Sequence, residues 1–121
     1  MIRLGEIYLI YAEACMHAGG DASKQIKALA DRAGVAAPSK IDQDFLVAER
    51  ARELMWEGHR RTDLIRYNLF AGEDVNFNWT YKSGSFTGQP FPGYKYIFSI
   101  PYSELTANEE LVQNPGYLDA E

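Results

Sequence analysis

Apolar residues recur at helical spacing almost from the first position. Across "RLGEIYLIYAEACMHAGG", Leu4, Ile7, Tyr8, Tyr11, Ala12 and Cys15 follow the i, i+3, i+4, i+7 rhythm of one helical face. Leu9, Ile10 and Ala14 lie off that stripe and are apolar too, so this helix is expected to be covered on two sides. Glu6 and Glu13 are assigned to its polar face, and Gly19-Gly20 ends it. A second helix, with Asp21 as its cap, carries Ile26, Leu29, Ala30 and Ala33 on one face and stops at Gly34 and Pro38. So short a connection predicts an antiparallel helix hairpin over residues 1–38.

A third helical pattern starts near Asp42, with Ile41 and Leu46 placed as a hydrophobic staple. Val47, Ala51, Leu54, Met55 and Gly58 mark its inward face, and the rhythm continues through Leu64, Ile65 and Leu69. The expectation for 39–70 is one long helix to about Asn68, bent at Gly58. Periodicity does not decide whether Trp56 is buried; if it is, Trp56→Ala should cost about 3–5 kcal/mol. After Phe70 the pattern dissolves. Residues 71–121 form a loop-rich segment in which "FNWTYKSGSF" alternates enough for a short hairpin at Ser83-Gly84. "YKYIFSIP" reads as a short extended stretch, and Ser103 as the cap of a brief turn over "ELTA". The fold class is therefore mainly α: a helix hairpin, a long third helix, an aromatic-rich loop and short extended segments.

Composition narrows the function classes. The 121 residues, 46% hydrophobic and 24% charged, suit a single globular domain, here 1–121. A net charge of -5 argues against a nucleic-acid partner, which would select for a basic face. It offers no polybasic attraction to an anionic membrane surface either. With one cysteine, Cys15, no internal disulfide forms. No signal peptide is readable after Met1, and the longest apolar run is too short to span a bilayer. Helical pattern that begins at Arg3 is expected of a piece of a longer protein.

Three places carry candidate chemistry. The first is the charged centre of "ELMWEGHRRTDLIRYNLF". On a continuous helix Glu57 would reach Arg60 and Arg61, and Asp63 would reach Arg60 and Arg66. Complementary pairs keep both partners charged, whereas acid/base catalysis needs two groups whose pKa values are driven apart. The cluster therefore reads as an ion-pair face or a partly buried brace, with no catalytic residue assigned. Glu53 and Glu57, one helical turn apart, are the pair a hydrolase reading would use, but that spacing arises by chance in many helices; hydrolases place their carboxyls about 5–9.5 Å apart across a cleft. The second place is the set of possible metal ligands. His17 and His59 are isolated and Cys15 lies on an apolar stripe, so no metal site and no cofactor are expected. The third is the aromatic loop, where Phe77, Trp79, Tyr81, Phe86, Phe91, Tyr94 and Tyr96 stand among Asn, Ser, Thr and Gln. Rings beside amides and hydroxyls suit sugars, whose C–H faces stack while their hydroxyls bond. The plainer reading is that the rings pin a long loop to the helices.

Taken in order, "RLGEIYLIYAEA", "ERARELMWEGHRRTDLIRY" and "IPYSELTANEELVQNPGY" resemble the C-terminal part of the SusD/RagB family. The likeness spans nearly the whole chain and rests on the combination E-R-x-x-E-L, E-G-x-R-x-x-D-L-x-R and Q-N-P-G-Y. It implies a tetratricopeptide-like helical scaffold and a non-enzymatic protein. It also implies an outer-membrane, surface-exposed lipoprotein as the full-length parent, although this chain itself carries no signal or anchor. The function implied is oligosaccharide binding within an uptake complex, with a SusC-type TonB-dependent transporter as partner. Glu49, Arg50, Glu57, Gly58, Arg60, Asp63, Arg66, Asn114, Pro115 and Gly116 match the family's structural signature, and for Glu57, Gly58, Arg60, Asp63, Leu64 and Arg66 the implied role is a structural brace. Trp79, Tyr81 and Phe77 are the candidate ligand contacts. Ser99 stands where the family's P-I-P has its first proline, Asn108 is followed by Glu109, and the family's long N-terminal part has no counterpart here. The alternative function is a helical interaction module without a small ligand, self-associating through faces its missing half would cover.

Overall fold

The computed structural model describes residues 2–117. Five α-helices appear among them: α1 Leu4–Ala18, α2 Ser23–Ala33, α3 Gln43–Glu53, α4 Arg60–Arg66 and α5 Tyr102–Ala107. The chain divides into two compact units, Met1–Asp63 and Leu64–Glu121, with the division inside α4.

In the first unit α1 packs against both α2 and α3. Gly19 and Gly34 end α1 and α2 in the left-handed conformation. Asp21 works one position earlier than a cap: its Oδ1 accepts from Ser23 N at 2.9 Å, and Ala22 is the residue flanking the helix. Asp42 does cap α3, accepting from Phe45 N at 2.9 Å. That hydrogen bond, with Lys40 beside it, holds the Asp42 carboxyl below its ordinary range. Leu9, Ala12, Cys15, Ala22, Ile26, Leu29, Leu46 and Leu54 form the core, with Tyr8, Met16, Ile41 and Phe45 packed around it.

The buried line of α1 is Gly5, Glu6, Leu9, Ala12 and Cys15. Leu4, Ile7, Ile10 and Tyr11 are exposed. The inward face is thus rotated from the one the spacing proposed. Both sides of α1 are apolar, so periodicity had two solutions, and one of the two sides is open in this chain. Glu6, expected on the polar face, is buried instead, with Oε1 3.9 Å from His59 Nδ1 and Oε2 without a hydrogen-bond partner.

The long third helix is not continuous. α3 ends at Glu53, residues 54–58 turn, and α4 begins at Arg60. Trp56 (φ 66°) and Gly58 (φ 78°) both adopt left-handed backbone, which no α-helix accommodates. Glycine takes that conformation freely; tryptophan takes it at a cost. Trp56 is 95% exposed and Met55 is exposed beside it. The cavity cost foreseen for a buried Trp56 therefore does not apply.

The second unit contains no strand among the described residues. The hairpin foreseen at Ser83-Gly84 is instead a 3-10 turn over Lys82–Gly84. A single isolated parallel bridge joins Ala71 to Phe91, again among the described residues. "YKYI" begins as a 3-10 turn, Gly93–Tyr96, and Ile97 is extended. α5 starts at Tyr102 after Pro101, so Ser103 lies inside the helix rather than at its cap.

Candidate functional site

Arg50, Glu57 and Arg60 meet partners that spacing along one continuous helix does not offer. Arg50 of α3 and Asp63 of α4 form a buried ion pair, Nε to Oδ1 2.8 Å, in a geometry that makes an ion pair rather than a hydrogen bond. Arg60 donates to the Val47 carbonyl at 2.9 Å, tying the start of α4 to α3. Glu57 lies in the turn, outside any helix, so i+3 and i+4 reach does not apply to it. It pairs with Arg3, whose Nε donates to Oε1 at 2.8 Å, and this contact depresses the Glu57 carboxyl. Glu53 also takes Arg3 and, from the other side, Arg32. Two carboxylates on one guanidinium make a brace between the start of α1 and the end of α3, not a pair facing across a cleft. Glu49 pairs with Arg52 at 2.6 Å, and Arg66 lies 4.8 Å from the centroid of the Tyr67 ring.

The Q-N-P-G-Y motif is a backbone clamp. Gln113 Oε1 accepts from Ile100 N and its Nε2 donates to Ile100 O, both at 2.9 Å. Asn114 Nδ2 donates to Phe98 O at 2.8 Å and Tyr117 OH to Ile97 O at 2.7 Å. Asn114, Pro115, Gly116 and Tyr117 form a tight turn closed by Tyr117 N to Asn114 O. Proline at its second position and left-handed Gly116 (φ 87°) at its third fit a type II turn. Gly116 faces Tyr94 so closely that a Cβ would stand 2.5 Å from its Cγ. A segment with no strand partner among the described residues thus has backbone groups of Ile97, Phe98 and Ile100 satisfied by side chains.

The aromatic loop is built on Lys82, which is 1% exposed. Its Nζ donates to Phe77 O at 2.8 Å and lies 4.8 Å from the Trp79 ring centroid and 5.5 Å from that of Phe91. Burial pushes the Lys82 ammonium down from its usual pKa. Phe91 meets Trp79 edge-on at 5.9 Å and Phe70 at 5.3 Å, while Lys95 reaches its ring at 5.2 Å. Farther out, Tyr81 and Phe86 form an edge-to-face pair at 5.7 Å, exposed by 66% and 71%. Ser85 and Thr87 hydroxyls, 3.2 Å apart, flank Phe86.

Of the three predicted contacts, then, Phe77 is half-buried and gives its carbonyl to Lys82. Trp79 is 38% exposed against Lys82 and Phe91. Tyr81 is open, and it stands beside Phe86 rather than in one row with the other two. Phe86 and Lys82 were not singled out as site residues. A lysine amid rings reads in sequence as a solvated charge, and only its burial shows otherwise. The helical unit holds open clefts of about 510 and 570 Å³; the first is edged by Arg32, Glu49, Arg52 and Glu53, whose charges are already paired. Among the described residues no cluster of His, Cys, Asp or Glu could hold a metal, and no helix is long and apolar enough to cross a membrane.

Comparison with known proteins gives one consistent relationship. Residues 1–117 match the SusD family, SusD_RagB. The chain is 36% identical to the starch-binding protein SusD of Bacteroides thetaiotaomicron over 97% of its own length and 21% of that protein's. It superposes with a TM-score of 0.73 on surface glycan-binding protein A from Bacteroides thetaiotaomicron, at 29% identity, covering 92% of this chain and 23% of that one. A SusD superfamily protein from Bacteroides vulgatus gives a TM-score of 0.62 at 32% identity, covering 95% and 27%. The chain therefore spans about a fifth to a quarter of the relatives it matches, and it belongs to the SusD family.

Proposed function

We propose that this chain is part of a non-catalytic carbohydrate-binding protein of an outer-membrane nutrient-uptake complex, one that passes oligosaccharide to a SusC-type TonB-dependent transporter. Two relatives are named for starch and surface-glycan binding, which supports the ligand class. The observation that carries the reading for this chain is the exposed Tyr81–Phe86 pair, in a stretch that also carries Ser85, Thr87 and Gln89. Rings of this kind take the C–H face of a sugar, and neighbouring hydroxyls and amides take its oxygens. Phe77 contributes through its backbone, by holding Lys82. Calorimetry with maltohexaose, followed by a panel of neutral and acidic oligosaccharides, tests this. Binding is expected to weaken about tenfold or more in Tyr81→Ala. If Tyr81→Ala binds as tightly as the unaltered chain, the loop is not the contact surface.

A second reading, a helical interaction module without a small ligand, is favoured by the open apolar stripe Leu4, Ile7, Ile10 and Tyr11 on α1.

A further inference from the structure

Lys82 is chemically out of place. Lysine is almost never fully buried unless something compensates its charge. Here the compensation is one carbonyl, Phe77 O, and the faces of two rings, Trp79 and Phe91. The same residue closes the loop with its backbone, its N–H donating to Trp79 O and its carbonyl accepting from Gln89 N, both at 3.0 Å. Residues on either side of it are strained: Tyr81 (φ 66°) and Ser83 (φ 57°) are non-glycine residues in the left-handed region. Every one of these features lies between Phe77 and Phe91, the stretch that also carries the exposed Tyr81–Phe86 pair.

We propose that Lys82 is a positioning residue for carbohydrate: by pinning Phe77, Trp79 and Phe91 from beneath, it holds Tyr81 and Phe86 in a fixed ring pair before the sugar arrives. This deepens the glycan reading above and rests on it. A free loop rich in Gly, Ser and Thr would have to order two aromatic side chains and several residues of backbone on binding. A buried cation tied to one carbonyl and two rings removes that ordering step from the binding event. A methionine would fill the same space and lose only the donor and the charge, so the role is separable from packing.

The test uses the full chain in a Trp56→Phe background, so that Trp79 is the single tryptophan and is excited at a wavelength where tyrosine does not absorb. In Lys82→Met, far-UV circular dichroism and the melting temperature are expected to stay near those of the parent. Acrylamide quenching of Trp79 should rise about twofold as the loop opens locally. Affinity for maltohexaose should fall about tenfold. In Tyr81→Ala, affinity should fall with Trp79 quenching unchanged. Unchanged quenching in Lys82→Met overturns the proposal whatever the sugar result, as does a rise in quenching with undiminished maltohexaose binding. Full binding by Tyr81→Ala overturns instead the glycan reading of the loop. Should Lys82→Met fail to fold, Phe91→Leu removes one of the two rings and keeps the cation. It is expected to give a smaller rise in quenching and a smaller loss of affinity, and no change in either overturns the proposal.

Discussion

Arg50 and Asp63 stand where a single unmatched charge would be most costly, since both side chains are nearly sealed from solvent. Desolvating two ions is unfavourable, and mutual attraction at 2.8 Å offsets it only while both are present. Asp63→Ala is therefore expected to destabilise the chain by about 3–5 kcal/mol, read from the urea midpoint. Adding Arg50→Met and making position 63 leucine should recover most of that loss. Asp63 was legible in sequence as part of a charged brace and Arg50 only as a signature residue; their pairing was not legible. Helical arithmetic offers Asp63 only partners within a turn or so, and Arg50 is thirteen positions away. The pair forms because the chain reverses at Trp56 and Gly58, and no rule of spacing foresees a tryptophan in left-handed backbone.

Helix boundaries followed from the sequence where caps carry them: Gly19, Gly34 and Asp42 each act where composition placed them. The elements that escaped are those made by side chains rather than by ladders. Residues 97–100 have no partner strand among the described residues, and Gln113, Asn114 and Tyr117 bind backbone groups of Ile97, Phe98 and Ile100. Alternation of residue types carries no trace of such an arrangement, because nothing in it has period two. Q-N-P-G-Y was legible as a motif, but its mechanism lies in contacts with a segment well upstream. The clamp's weakest point is Gly116, which needs both its left-handed φ and the absence of a Cβ against Tyr94. Gly116→Ala is expected to cost at least about 2 kcal/mol. Amide hydrogen exchange should show the loss concentrated at Ile100, whose N–H the clamp protects. Uniform exchange across the chain would mean that the turn is not what holds the segment.

At the scale of the molecule, the division at Asp63 and Leu64 has no mark in composition, which changes only after Phe70. The first unit rests on an apolar core braced by Arg3, Glu53, Glu57, Arg50 and Asp63. The second rests on a buried lysine, ring contacts and a side-chain clamp. The first unit leaves Leu4, Ile7, Ile10 and Tyr11 open along one side of α1, the side that makes both faces of this helix apolar in sequence. Removing such a stripe from water is favourable at roughly 25 cal/mol per Å² of apolar area, enough to drive weak association. The chain's net charge of -5 opposes that association, and salt screens the repulsion. Sedimentation velocity at high protein concentration is thus expected to show a dimer whose population grows as salt is raised. Ile7→Glu with Ile10→Glu should return the chain to monomer while leaving the Leu9, Ala12 and Cys15 core untouched. A parent chain that stays monomeric at every salt concentration would remove the interaction-module reading and leave the aromatic loop as the functional surface of this chain.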